Sequence, residues 1–437
     1  MTRWGPGASL TPEELSAATA ELGAIPVAYD FALSQHRLPG SLFESMTTAW
    51  RAFRSGVAAF VASCEDDLGR MAESLRLPGR LIPVWESLPP HEWALIARPD
   101  MIISGGRPLI VDVNAHSLAG HFPLNDLTLR AHRGPALRSL FAGPGTPRFV
   151  MGHYADILRR FLTDDRDLVA LSYFADEDVG ENNPNTWHYR AEIHELRRLG
   201  LDARTVRVEE LDISAHGVYA DGRKIGLIQR FFNAHLNEKQ MPELARLASA
   251  AREGAVNVLT GLRGEILNTK ATIAVLSSDE FTDGLPPSLA ARLGQALPWS
   301  RLMRECHTRW RDKRIDLPGW TERNRTRLVL KPAFGSLGRS VTIGREKSER
   351  EWSVILNGAL SDEEPWIVQE LIVPDHHEVR FFDKAGELRT ETGPAVHGAY
   401  ILDGELAGGI CRHGRQGDQG LMINGLTGAI PAPVYWL

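Results

Sequence analysis

The stretch from Arg98 to Asn114 leaves this chain little freedom. It runs Arg-Pro-Asp-Met-Ile-Ile-Ser, then Gly105-Gly106-Arg107, then Pro-Leu-Ile-Val-Asp-Val-Asn. Apolar residues fall at Pro99, Met101, Ile103, Leu109, Val111 and Val113, the alternation of a half-buried strand pair. A three-residue loop, Gly105 to Arg107, sets Asp100 opposite Asp112 and Arg98 opposite Asn114, with all six apolar residues on the other face. A two-residue loop would slip the register by one and mix apolar residues with carboxylates. The patterning therefore selects the register that gathers an arginine, two carboxylates and an amide. Hard oxygens in that arrangement suit Mg²⁺, which shares carboxylate ligands with nucleotide phosphates. Taken alone, the stretch reads equally well as a surface hairpin with scattered charges.

The rest of the composition narrows the field. A chain of 437 residues has room for two or three domains around one cleft. Hydrophobic content of 43% with 24% charged residues describes a globular protein. A formal net charge of -6, with Arg and Lys spread along the chain, gives no reason to expect nucleic acid as a partner. Three cysteines, Cys64, Cys306 and Cys411, lack metal-ligand spacing, and an odd, sparse count favours reduced thiols in the cytoplasm. No apolar signal core opens the chain and no apolar run is long enough to span a bilayer, so no membrane partner is expected.

Thr11-Pro-Glu-Glu14 has the pattern of a helix start, and amphipathic helices are expected over much of residues 11–77. Residues 167–174 read as a buried strand, 187–199 as a helix closed by Gly200, and 203–208 as a second strand, a small α/β layer. The Gly-x-Gly dinucleotide fingerprint does not follow that first strand, and its acidic loop, Asp176 to Asp178, reads as a solvated strand end. Further strands are expected at 327–331, 341–343, 366–372, 378–383, 398–402 and 406–411. His376 and His377 invite a metal reading, but neighbouring strand residues face opposite ways, so a solvated loop is the simpler expectation. Lys331-Pro332 leads into Gly335-Ser336-Leu337-Gly338-Arg339-Ser340, a loop whose glycines let backbone N–H groups approach phosphate. Gln369, Glu370, Leu371 and Ile372 form an apolar-rich strand end that reads either as a buried strand or as a hinge for an adenine ring.

Taken together these pieces resemble the ATP-grasp superfamily. Asp112-Val-Asn114 matches its acid-x-Asn metal motif, Lys270 and Lys331 its two phosphate-binding lysines, Gly335 to Ser340 its mobile loop, and Gln369 to Ile372 its adenine hinge. The metal motif precedes both lysines, an order similar to the circularly permuted branch that includes the synthetase domain of glutathionylspermidine synthase. Arg98 and Asp100, the Asn268-Thr269-Lys270 step, Lys331-Pro332 and Gly409-Ile-Cys-Arg412 extend the likeness, in order, over about residues 95–425. There are departures. Asp112 stands where a glutamate is usual, Arg339 follows the second loop glycine, and Ala115-His116-Ser117 replaces an Asp-Thr-Pro step, so glutathione and spermidine are not implied.

The resemblance implies an α+β / α/β fold, a circularly permuted ATP-grasp, with a small α/β preATP-grasp-like layer and an N-terminal helical region. Its parts would be a helical region over 1–80, the metal hairpin and part of the palm over 81–150, a substrate-side α/β domain over 151–260, and the ATP-grasp lobes over 261–437. It implies an ADP-forming carboxylate–amine ligase working through an acyl phosphate on small-molecule carboxylate and amine substrates, with ATP and Mg²⁺ as cofactors. Asp100, Asp112 and Asn114 would hold the metal. Lys270, Lys331, Gly335, Ser336, Gly338, Gln369, Glu370, Leu371 and Ile372 would hold the nucleotide. Arg98 and Arg412 would stabilise the transferring group, and His116, Ser117 and Arg339 would touch substrate. Two other readings stay open: transfer to a carrier-protein thiol, and a nucleotide-binding regulator without ligase chemistry. The sequence says nothing of the oligomeric state.

Overall fold

The structure is a computed structural model, and it describes residues 34–89, 93–115, 121–135, 137–139, 141–162, 164, 167–174, 187–214, 216–232, 240–335, 341–383, 386–414, 423 and 429–437, with Thr11 and Glu13. The expected helix start at 11–14, the acidic loop at 176–178, and the candidate site residues His116, Ser117, Ser336, Gly338 and Arg339 lie outside the residues described, apart from Thr11 and Glu13.

Helix Gly40–Ser63 begins after Pro39 and buries Met46, Ala49, Trp50, Phe53, Val57 and Phe60, the spacing of a single helical stripe. That stripe packs beneath the hairpin expected from the sequence, strands Ile96–Ser104 and Arg107–Asn114, in one core with Met101, Ile103, Ile110 and Val113. Trp50 is fully buried and its indole N–H donates to the Gly404 carbonyl at 2.8 Å, tying the helix to the turn after strand Leu388–Leu402. Helices do not fill the segment before residue 77. Ser34–Leu38 is a strand, parallel to Ile430–Trp436 and antiparallel to His376–Phe382. Its partners lie hundreds of residues away, and five residues without alternation give no local signal of that pairing.

The large sheet has eight strands. Within it, His376–Phe382, Ser34–Leu38, Ile430–Trp436, Glu405–His413 and Leu388–Leu402 pair in turn, and the last pairs again with the first. The ladder therefore closes on itself as a small barrel, which removes two sheet edges. The long strand Leu388–Leu402 makes this possible: residues up to Pro394 pair with His376–Phe382, and those from Ala395 pair with Glu405–His413. From its outer side hangs the hairpin, joined through Gly398↔Asp100 and His397↔Met101.

A second sheet holds the parallel strands Ala203–Arg207, Leu168–Tyr173 and Arg223–Arg230, with helix Trp187–Arg198 between the first two in sequence. Gly200 follows that helix with φ of +84°, a left-handed stop that favours glycine. A third, four-stranded antiparallel sheet runs Ser300–Leu302, Trp366–Glu370, Leu328–Pro332, Thr342–Ile343. Leu328, Leu330 and Val368 of that sheet pack with Trp352 and Leu356 of helix Glu349–Ser361. Among the described residues no helix is long and apolar enough to cross a membrane.

Trp50→Ala should empty a buried indole site and leave the Gly404 carbonyl without its donor. The expected loss is about 3–5 kcal/mol, read as a lower urea midpoint, with Trp50→Phe losing less.

Candidate active site

The hairpin places Asp100 directly across from Asp112 and Arg98 across from Asn114, as the patterning requires. It does so by another route than a three-residue loop. Ser104 pairs with Arg107, so the loop is Gly105-Gly106 alone, with φ of +58° and +73° at the two glycines. Both values belong to the two-residue turn that suits a twisted hairpin. The register then shifts between Asp100 and Met101, whose partners are Asp112 and Ile110, leaving Val111 as an extra, bulged residue. The bulge restores the expected register for Asp100, Asp112, Arg98 and Asn114, but between it and the turn Ile110 and not Leu109 stands opposite Met101, so the six apolar residues do not all share one face. It also turns the Val111 carbonyl to Lys331, whose Nζ donates to it at 3.2 Å. Asp375 fixes the hairpin tip, its two carboxylate oxygens each accepting at 2.8 Å from the N–H groups of Gly105 and Gly106.

Asp100 is buried between two guanidinium groups. Arg98 Nε donates to its Oδ1 at 3.1 Å, and Arg412 Nη2 reaches its Oδ2 at 2.7 Å. The Arg98 stem crosses the backbone of Gly398, where a Cβ would lie 2.9 Å from Arg98 Cδ. Asn114 donates from its amide to the Arg98 carbonyl at 3.4 Å. Asp112 is more open, with Lys270 Nζ at 3.4 Å. Lys270 opens a short helix, is buried, and donates to the Gly335 carbonyl at 2.9 Å, so it holds the start of the glycine loop. The neighbouring Asn268 accepts from Ala115 N–H at 2.8 Å, joining this helix to the end of the hairpin.

Lys331 projects from strand Leu328–Pro332 and donates to Gln369 Oε1 at 2.7 Å, while the Gln369 amide donates to Ser300 Oγ at 3.0 Å. Desolvation of its ammonium lowers the Lys331 pKa to about 8, with Lys270 acting the same way and Asp112 and Asp100 opposing. Gln369 is thus a buried partner of the lysine, and its backbone lies between Ser300 and Val329 in the ladder. The N–H groups of Glu370 and Leu371 donate to the Trp299 and Arg327 carbonyls, both at 2.8 Å. Burial raises the Glu370 carboxyl, while Arg311 and Arg107 act to lower it. Ile372 lies just past the end of that strand.

The structure therefore brings Arg98, Asp100, Asp112, Asn114, Lys270, Lys331, Gln369 and Arg412 into one cluster, in which four cations face two carboxylates. The fit to a magnesium ion rests on the donors. Asp112 offers a carboxylate with no arginine on it, the Asn114 amide lies beside it on the same strand, and Asp100 adds a second carboxylate across the ladder. The donor set is hard oxygen throughout. Sequence reasoning missed the Val111 carbonyl, Asp375 and the close approach at Gly398. The Gly-Gly turn was the signal for the first, because a two-residue loop and the observed patterning are reconciled only by a bulge.

No protein-family model and no curated protein matches the chain. Among solved structures, a glutathione synthetase-like effector from Globodera pallida in its apo form superposes with a TM-score of 0.59 at 12% identity, over 97% of this chain and 96% of that one. A putative gamma-glutamylcysteine synthetase from Methylobacillus flagellatus gives a TM-score of 0.44 at 13% identity, over 83% and 86% of the two chains. The ATP-grasp ligase PsnB, solved with a minimal precursor, Mg and ADP, gives 0.29 at 14% identity, over 62% and 88%. The first of these shares its fold with this chain almost from end to end.

Proposed function

We propose that the chain is an ATP-dependent carboxylate–amine ligase of the ATP-grasp type, which forms an amide bond through an acyl phosphate and releases ADP and phosphate. The observation that carries the reading is the cluster itself. Two lysines from separate elements and two arginines converge on a hairpin face whose carboxylates are too few to neutralise them. A polyanion accompanied by a divalent cation balances such a site, and ATP with Mg²⁺ is that combination. The shared fold with a glutathione synthetase-like protein supports the same choice. Three free cysteines suit a reducing compartment, and we place the protein in the cytoplasm.

In this reading Asp112, Asn114 and Asp100 would hold magnesium, which would supply neutralisation of phosphate charge. Lys270 and Lys331 bind the phosphate chain, each exchanging an internal acceptor for a phosphate oxygen: Gly335 carbonyl for Lys270, Val111 carbonyl or Gln369 for Lys331. Release of Gly335 by Lys270 couples nucleotide arrival to the loop that follows it. Arg412, oriented by Asp100, and Arg98, oriented over Gly398, present guanidinium N–H groups to the transferring phosphoryl and then to the oxyanion formed when the amine attacks. The loop from Gly335 to Ser340 would exclude water from the acyl phosphate. Glu370 and the carbonyls of the strand end supply acceptors for an adenine amine, while the Leu371 N–H is already used.

Asp112→Ala and Asn114→Ala should each abolish turnover with an unchanged far-ultraviolet circular dichroism spectrum. Turnover in both variants within a few-fold of wild type would remove the hairpin from the chemistry.

Lys331 gives the site a pH dependence of known sign. It attracts phosphate only as the ammonium, so calorimetric affinity for a non-hydrolysable ATP analogue should be full below pH 8 and fall as pH rises through about 8. Lys331→Met should bind more weakly and lose that inflection. An inflection retained in Lys331→Met would assign it to another group.

The reaction class has its own test. Hydroxylamine added to enzyme, Mg-ATP and a pool of amino acids and small carboxylic acids should trap a hydroxamate with release of ADP. Release of AMP and pyrophosphate alone would mean adenylation and overturn the acyl-phosphate route.

A further inference from the structure

Strand residues alternate between faces, so each strand that carries the candidate active site also carries a second set of side chains behind it. Gly398 and Arg412 face the hairpin's Asp100, whereas His397 and Cys411, directly paired across the ladder, face the barrel interior. His36 enters the same interior from strand Ser34–Leu38, His377 joins it from strand His376–Phe382, and His413 from the strand that carries Cys411. Four histidines and a thiol thus meet inside a five-strand barrel. His36, His397, His413 and Cys411 are almost completely buried, and His377 is half-buried.

Both ring nitrogens of His413 and Nδ1 of His36 meet backbone carbonyls, but the rest of the group is incompletely hydrogen-bonded. The Nε2 atoms of His36 and His397 face one another at 3.2 Å, where one proton at most can sit between them. His397 Nδ1 has no hydrogen-bond partner, nor has His377 Nε2. A buried, unpaired ring nitrogen carries a desolvation cost that a cation removes. One ligand atom each from His36, His397 and Cys411 lie within 4.8 Å of one another. Tetrahedral zinc with Zn–N of about 2.0 Å and Zn–S of about 2.3 Å spaces its ligand atoms by roughly 3.3–3.7 Å. The observed Nε2···Nε2 distance of 3.2 Å is close to that spacing. The His377 ring, 5.4 Å from His36 and 5.3 Å from His397 between centroids, carries an unpaired Nε2 and is a candidate fourth ligand.

We propose that His36, His397 and Cys411, completed by His377, form a structural zinc site inside the barrel, separate from the magnesium site of the proposed ligase. Two or three imidazoles with one thiolate suit a borderline-soft cation and do not suit magnesium. Burial of His36 and His397 disfavours their charged forms, the direction that leaves ring nitrogens available as donors. Cys411 is a thiol in the metal-free protein, since burial raises it. On binding, the S–H bond breaks, the Sγ–Zn bond forms and one proton leaves to solvent, with no change of oxidation state. The ion would clip strand Ser34–Leu38 to the two strands that hold Gly398 and Arg412.

The test uses the full chain, stripped with chelator and then supplied with Zn²⁺ or Co²⁺ alone. Wild type should retain one zinc per chain after desalting, and Co²⁺ should give a thiolate-to-cobalt charge-transfer band. That band should be lost in Cys411→Ala, where a small apolar residue replaces a buried thiol, and kept in Asp112→Asn, which alters the other metal site. Zinc should also raise the melting temperature of wild type but not of Cys411→Ala. No zinc retained by wild type, or a charge-transfer band that survives Cys411→Ala and so reports another thiol, would overturn the proposal. The wild-type measurement decides even if a variant fails to fold, and none of these readouts depends on ligase turnover.

Discussion

Asp100 between Arg98 and Arg412 is the interaction on which the site depends. It joins two strands that are neighbours only through a third: Asp100 and Arg98 lie on the hairpin, Arg412 on Glu405–His413, with Gly398 of the long strand between them. A buried carboxylate is costly unless each oxygen is matched, and here each oxygen has its own guanidinium. Loss of either arginine would leave an uncompensated charge, which costs about 3–5 kcal/mol in comparable buried pairs. Gly398 is what makes the triad possible, because any side chain there would occupy the path of the Arg98 stem. The triad fixes the direction of both arginines, and in the proposed ligase that would be the preorganisation electrostatic catalysis requires.

Two kinds of information in the sequence differ in how well they can be read. Alternation over Arg98 to Asn114 specified which residues face each other, because a one-residue slip would have carried a carboxylate into the core beside Met101 and Ile110. The same alternation could not specify how the register was kept. Loop length and bulge trade against one another: the pair Gly105-Gly106 with a bulged Val111 keeps Asp100 opposite Asp112 as a three-residue loop would, but sets Ile110 rather than Leu109 opposite Met101. The grouping of Lys270, Lys331 and Arg412 with the hairpin was suggested only through a likeness of spacing, since nothing local in their strands or helix points to it.

What stayed hidden is non-local. Ser34–Leu38 carries no period, and its place in the barrel comes from strands near the far end of the chain. The His376-His377 pair shows the limit from the other side. Opposite orientation of neighbouring residues was the right inference, with His376 exposed and His377 turned inward. The conclusion that the pair lies in a solvated loop was not, because His376–Phe382 is a barrel strand. One histidine alone is a weak metal signal. Its partners, His36, His397 and Cys411, become visible only when three other strands are brought alongside.

The two faces of the barrel strands are coupled by geometry. His397 and Gly398 are consecutive, as are Cys411 and Arg412, and each pair sits at matched positions of one ladder. A displacement that moves Cys411 along its strand must move Arg412 with it, and Asp100 follows because its carboxylate is bound to that guanidinium. The packing of the barrel interior therefore sets the tolerance of the outer face. Close-packed interiors transmit small shifts because they deform poorly, and the interior here carries polar groups whose hydrogen bonds are incomplete. A fold held only by apolar contacts at that level would leave Arg412 some freedom along the strand. The directional contact between His36 and His397 restricts it, so a polar part of this core lies directly behind the Arg412 guanidinium.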